Sequence, residues 1–225
     1  MAEELSYMSI FDIIGPVMIG PSSSHTAGAA RIGKMIRTIF AELPEQVDIH
    51  LYESFAKTFR GHGTDVALVA GLLGMEADDP NLINSPHIAY EQGMEISYVP
   101  HFDEAANHPN TAKLVCKKAD KKMTVKGISL GGGLVQITEI NGFELKISMS
   151  VATFVIIERI GQSALTKITE ILEKNQIKLL QMTRTHEVKG KETILLLEVE
   201  EVENAEQAVQ EILALSEISH ANFLK

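Results

Sequence analysis

Three stretches of the chain hold side chains able to do chemistry. The densest is Ser22-Ser23-Ser24-His25-Thr26, which follows two turn-forcing steps, Gly15-Pro16 and Gly20-Pro21. Hydroxyl side chains ahead of a helix satisfy its free N–H groups. Four within five residues are more than one helix needs. The surplus hydroxyls, the free N–H groups and the positive end of the helix dipole together suit a carboxylate or phosphate. His25 adds a group that exchanges protons near neutral pH. The second stretch is Gly61-His62-Gly63-Thr64-Asp65, in which two glycines free the backbone around a histidine. It repeats the first arrangement, a histidine presented at a helix N-terminus among hydroxyls. The third is His108-Pro109-Asn110, whose two polar side chains fall on one side of an extended segment. On residue types alone this third stretch reads as an ordinary polar turn.

The elements that must position these groups are legible from periodicity. Ile32, Met35, Ile36, Ile39, Phe40 and Leu43 follow the three-and-four spacing of one helical face, with Pro44 as the stop. Val47, Ile49 and Leu51 alternate with polar residues as a half-buried strand, which turns His50 outward. The stretch 54–65 reads as a loop, with Thr64 or Asp65 capping a helix over 66–73. Ser85-Pro86 reads as the cap and first position of another short helix. Residues 94–99 form a strand, and a β pattern runs from 112 to 147. Cys116 is expected as a buried core thiol, the lysines around Asp120 as a solvated turn, and Asn141-Gly142 as a two-residue hairpin. Gly131-Gly132-Gly133 is either a bulge or a place for a ligand to approach the backbone. From 149 on, the order is strand, helix, strand, strand, helix, strand, with a turn through Lys189-Gly190-Lys191. That order is the split βαβ, ferredoxin-like arrangement of an α+β protein. No catalytic constellation stands out there, so it reads as a regulatory or assembly module.

Composition narrows the function classes. The net charge of −10 argues against a nucleic-acid surface. No apolar stretch approaches a membrane span, and residues 1–14 have no cationic start before an apolar run, so a cytoplasmic protein is expected. A single cysteine among 225 residues rules out an internal disulfide framework and a self-sufficient iron–sulfur cluster. The eight histidines include no His-Glu-x-x-His pair.

The long first motif, together with Gly61-His-Gly-Thr-Asp65, resembles the β chain of the iron–sulfur-dependent L-serine dehydratases. The resemblance continues through His108-Pro-Asn-Thr111, the Gly131–Gly133 strand pair and the C-terminal βαββαβ, and so covers nearly the whole chain. It implies an allosteric-substrate-binding-type domain over 1–148 and an ACT domain over 149–225. It implies a separate α chain that holds a [4Fe–4S] cluster, with no pyridoxal phosphate. The reaction it implies takes L-serine to pyruvate and ammonia, one iron binding the serine hydroxyl as a Lewis acid while a base removes the α proton. His25 and His62 match the family's active-site histidines. Ser22, Ser23, Ser24 and Thr26 would hold the substrate carboxylate, with Gly63 and Thr64 beside it. His108 and Asn110 match a His-x-Asn pair that implies an effector site for L-serine, which reverses the reading as a plain turn. The ACT turn departs from the family's Asp-x-Pro-Gly-like form: here it is Glu158-Arg-Ile-Gly-Gln162, so pairing into an oligomer is expected there but amino-acid binding is not. Two other readings stay open, a purely regulatory serine-binding subunit and a stand-alone anion sensor.

Overall fold

The computed structural model describes residues 17–185, 192–200 and 202–225. The Gly15-Pro16 step and the turn at Lys189-Gly190-Lys191 lie outside the described residues. Among these, the chain is mixed α and β, with two sheets and the helices packed on them.

The serine-rich stretch enters a π-helical turn, Ser23–Ala27, that runs straight into helix α1, Gly28–Phe40. Ile32, Met35, Ile36, Ile39 and Phe40 are all buried, as their spacing requires. The helix stops before Pro44. Ala41 adopts the left-handed conformation (φ +73°), and its N–H donates to Arg37 O and Thr38 O. Leu43 lies past the end but still packs against the core.

The first sheet has six strands: β1 (Gln46–Tyr52), β2 (Glu95–His101), β3 (Asn110–Lys118), β4 (Lys121–Gly131), β5 (Leu134–Ile140) and β6 (Phe143–Ser148). Their spatial order is β2-β1-β3-β4-β5-β6. Only β1 and β2 run parallel, in register from Gln46 opposite Glu95 to Tyr52 opposite His101. Parallel neighbours need a crossover, and three short helices supply it: α2 (Glu53–Thr58), α3 (Thr64–Leu72) and α4 (Ser85–Glu91). The rest is an antiparallel meander. Its last hairpin turns at Asn141-Gly142, both at positive φ, as the expected two-residue turn demands. Val47, Ile49, Leu114, Cys116, Val125 and Ile137 are buried on one face. Helix α1 presses on that face so closely that a Cβ on Gly127 would come within 2.9 Å of Ile32 Cγ2.

Three expectations change here. The 54–65 stretch is not all loop, because Phe55 and Ala56 bury themselves and wind Glu53–Thr58 into a helical turn. Helix α3 is capped neither by Thr64 nor by Asp65; the cap position is Gly63, at φ +68°, with no side-chain bond. Ser85 likewise opens α4 rather than capping it. Its hydroxyl donates to Val66 O at 2.6 Å, which ties α4 to α3.

The second sheet combines β7 (Ala152–Glu158), β8 (Leu179–Arg184), β9 (Thr193–Val199) and β10 (Ile218–Leu224) in the order β10-β7-β9-β8, all antiparallel. Helices α5 (Leu165–Lys174) and α6 (Ala205–Leu213) connect them. Phe154 and Ile156 face those helices, whereas Val155 and Ile157 join the core beneath α1. Both faces of β7 are therefore buried, which explains its unbroken apolar run. On β10, His220 Nε2–H donates to Ile39 O at 2.5 Å and Asn222 Nδ2 donates to Thr38 O, so the second sheet grips the end of α1. Glu158, fully buried at the end of β7, accepts from Ala164 N at 2.7 Å and pairs with Arg184 at 2.9 Å.

Candidate functional site

The site forms where α1 and α3 cross. Gly33 and Gly71 permit the crossing: a Cβ on Gly33 would lie 2.2 Å from Leu68 O, and one on Gly71 2.0 Å from Ala30 O. A histidine stands just ahead of each helix, His25 before α1 and His62 before α3.

His25 lies in the π-helical turn and is 8% exposed. Its Nδ1 is 3.0 Å from Ser24 Oγ and 3.3 Å from Ser22 Oγ, and those two hydroxyls are 3.2 Å apart. Ser22 Oγ also accepts from the His25 N–H. On the other side, His25 Nε2 lies 3.0 Å from Ser54 Oγ. The Phe55 ring packs edge-on at 5.1 Å. Burial lowers the His25 pKa, His62 lowers it further, and a hydrogen bond to the Ser54 backbone opposes them. The net effect is a neutral imidazole at neutral pH.

His62 meets His25 edge to face, ring centroids 5.0 Å apart. The two segments are tied directly, because Thr26 Oγ1 donates to His62 O at 3.2 Å. Buried side-chain atoms without a hydrogen-bond partner are rare in folded proteins. Among the described residues there are three, His62 Nδ1, Thr64 Oγ1 and Ser129 Oγ. Two of them belong to the His62-Gly63-Thr64 segment. The third stands against the start of α1, where a Cβ on Gly28 would come within 2.0 Å of Ser129 Oγ. Asp65, beside Thr64, has its carboxyl pKa raised by burial.

Ser22, Ser24, His25, Thr26 and His62 are thus brought together, with Gly63 making the turn and Thr64 opening α3. Ser23 contributes its carbonyl, which accepts from Gly28 N–H. His108 lies in the loop between β2 and β3, and Asn110 is the first residue of β3. There His108 Nδ1 accepts from Asn110 N at 3.2 Å, and Asn110 Nδ2 donates to Ser129 O at 3.3 Å. His108 lines a cleft of about 920 Å³ walled by both sheets, which also receives Tyr52, Lys113, Lys126, Gln181 and Glu198. Gly131–Gly133 makes the β4–β5 turn at positive φ, and Gly133 O accepts from Arg31 Nη1 at 2.7 Å. His50, on the outer sheet face, has its Nδ1 2.9 Å from His101 Nε2. Sequence reasoning missed Ser54, Phe55 and Ser129. Ser54 opens the 54–65 stretch, but no spacing rule pairs it with a residue 29 positions earlier.

Comparisons with known proteins point to one family. A family profile described as "Serine dehydratase beta chain" matches residues 9–97, which hold both histidines. The chain is 40% identical over 197 residues to a "Probable L-serine dehydratase, beta chain" of Bacillus subtilis, covering 88% of this chain and 89% of that protein. It is 39% identical over 149 residues to the "L-serine dehydratase, beta chain" of Peptoniphilus asaccharolyticus, covering 66% and 67%. A shorter match, 38% over 74 residues, reaches "L-serine dehydratase 1" of Escherichia coli and spans only 16% of it. The chain belongs to the serine dehydratase β-chain family.

Proposed function

We propose that this chain is the β subunit of an iron–sulfur L-serine dehydratase and that, with an α chain, it converts L-serine to pyruvate and ammonia. The observation that carries the reading is the pairing of a neutral, fully held His25 with a His62 whose Nδ1 is buried and without a partner. Overall, L-serine loses its α proton and its hydroxyl as water. The aminoacrylate that remains rearranges to an imine, which hydrolyses to the two products. In this chain, His62 is the group with a ring nitrogen left to accept the α proton. His25 orients the substrate from a fixed ring. Ser22, Ser23 and Ser24, half-buried at the head of α1, hold the carboxylate. Thr26 keeps the two histidine segments in register, while Gly63 and Thr64 shape the wall beside His62.

The donors in this chain do not suit an iron–sulfur cluster. Its one cysteine, Cys116, is buried in the sheet with its thiol pushed up to about 12 by burial. No group of three or more His, Cys, Asp or Glu side chains among the described residues could hold a metal ion. The cluster is assigned to the α chain, and no step here passes through it. Relatives named simply L-serine dehydratase are much longer than their aligned stretch, consistent with the remaining machinery lying on a separate chain here.

The division into an allosteric-substrate-binding-type domain (1–148) and an ACT domain (149–225) fits the two sheets and the βαββαβ order of the second. Oligomers form through the second unit. L-serine also acts as an effector at His108 and Asn110, a reading favoured by the cleft that His108 lines with Lys113 and Lys126. No helix among the described residues is long and apolar enough to cross a membrane, and a cytoplasmic location is proposed.

Anaerobic assay of pyruvate from L-serine tests this reading, with this chain alone, with cluster-reconstituted α chain alone, and with both. Activity only in the mixture is expected. Full activity from the α chain alone would make this chain a purely regulatory subunit.

A further inference from the structure

Ser54 stands between two parts of the site region that the sequence keeps far apart. Its Oγ is 3.0 Å from His25 Nε2. Its N–H donates at 2.9 Å to Pro109 O, in the loop that carries His108 and Asn110. Phe55, whose ring packs on His25, sends its N–H to the same carbonyl at 3.3 Å. One residue earlier, Glu53 Oε1 accepts from Ala106 N at 2.7 Å, and the Glu53 backbone bridges to Asn110. Glu53 holds φ at +43°, the left-handed region where a residue other than glycine is strained. That turn joins the end of β1 to α2 without a linker, and its contacts to the Ala106–Asn110 loop hold it.

We propose that Ser54 is a positioning residue whose hydroxyl anchors the His25 ring at Nε2 and carries the placement of the His108–Asn110 segment to that ring. The proposal rests on His25 belonging to the lyase site described above. The Ser54 hydroxyl meets the ring at Nε2, and the Ser24 hydroxyl meets it at Nδ1, 3.0 Å away, so both ring nitrogens are held. A shift of the loop moves Pro109 O, hence Ser54, hence the ring.

The test uses the full chain with ¹⁵N-labelled histidine, read by NMR at the His25 ring, and the same protein reconstituted with its cluster-bearing partner, read as kcat and KM for L-serine. Ser54→Ala removes the hydroxyl at Nε2 and is expected to move the His25 Nε2 signal and to lower kcat on the order of 10- to 100-fold, with KM changed less than about threefold. Ser54→Thr keeps the hydroxyl and is expected to restore the signal and most of kcat. Asn110→Ala releases the loop from Ser129 O and is expected to move the same His25 signal, with little further movement in a Ser54→Ala background. An unchanged His25 signal in Ser54→Ala overturns the anchoring role. Full additivity of the two variants overturns the transmission. If the wild-type complex makes no pyruvate, the lyase reading fails instead, and the ring signal still decides the role of Ser54.

Discussion

The rings of His25 and His62 meet edge to face, centroids 5.0 Å apart and planes inclined by 80°. Neither helix alone could hold that geometry. It depends on α1 and α3 crossing at backbone contact through Gly33 and Gly71, with Thr26 Oγ1 donating to His62 O as the local tie.

Gly71→Ala is therefore expected to damage both fold and site. The added Cβ would sit 2.0 Å from Ala30 O and 2.7 Å from Lys34 N, backbone atoms that move only if the helices separate. Overpacking of this kind costs about 1–3 kcal/mol. Chemical denaturation should show a lower midpoint, and the reconstituted complex should lose activity even where the variant is folded. Unchanged stability would mean that the crossing is looser than the contacts require.

His220 sets a pH limit on the junction between the sheets. Its Nε2–H donates to Ile39 O, and burial, with a smaller contribution from Lys121, drives its pKa from the ordinary 6.5 to about 4; Glu42 opposes the shift. A histidine depressed in the folded state adds stability above its unfolded pKa. That stability is lost as the pH falls from about 6.5 towards 4. The full effect is about 3 kcal/mol. Thermal melts of wild type and His220→Gln across this range should converge at low pH, the variant having the flatter slope. Parallel slopes would contradict the assignment.

Cys116 should behave as an inert core thiol. It is fully buried on β3, and burial pushes its pKa up to about 12. A thiol reagent should label it only after denaturation, and a Cys116→Ala complex should retain its iron per complex. Loss of iron would place a cluster ligand on this chain.

Much of the scaffold was legible because short-range rules govern it. The three-and-four spacing from Ile32 to Phe40 and the Asn141-Gly142 turn each needed only neighbouring residues, and both elements formed as read. The end of α1 was misplaced because Pro44 is a permissive stop, whereas Ala41 ends the helix by turning left-handed. The helical turn at Glu53–Thr58 was missed because burial of Phe55 and Ala56 decides it, and that depends on the sheet beneath. His25 and His62 drew attention by their glycine- and serine-rich surroundings. Their meeting did not, since it depends on two glycines separated by a whole β-α crossover. Ser54 was invisible for the same reason: its partners, His25 and Pro109, lie on opposite sides of it in the chain.

The most direct measurement is steady-state pyruvate formation from L-serine by the reconstituted complex carrying His62→Gln. His62 Nδ1 has no hydrogen-bond partner among the described residues, so the substitution should leave thermal stability nearly unchanged. Removing a catalytic base is expected to lower kcat at least about 100-fold. A complex that keeps kcat within about threefold of wild type, with only its dependence on L-serine altered, would contradict catalysis by this chain and leave it a regulatory subunit.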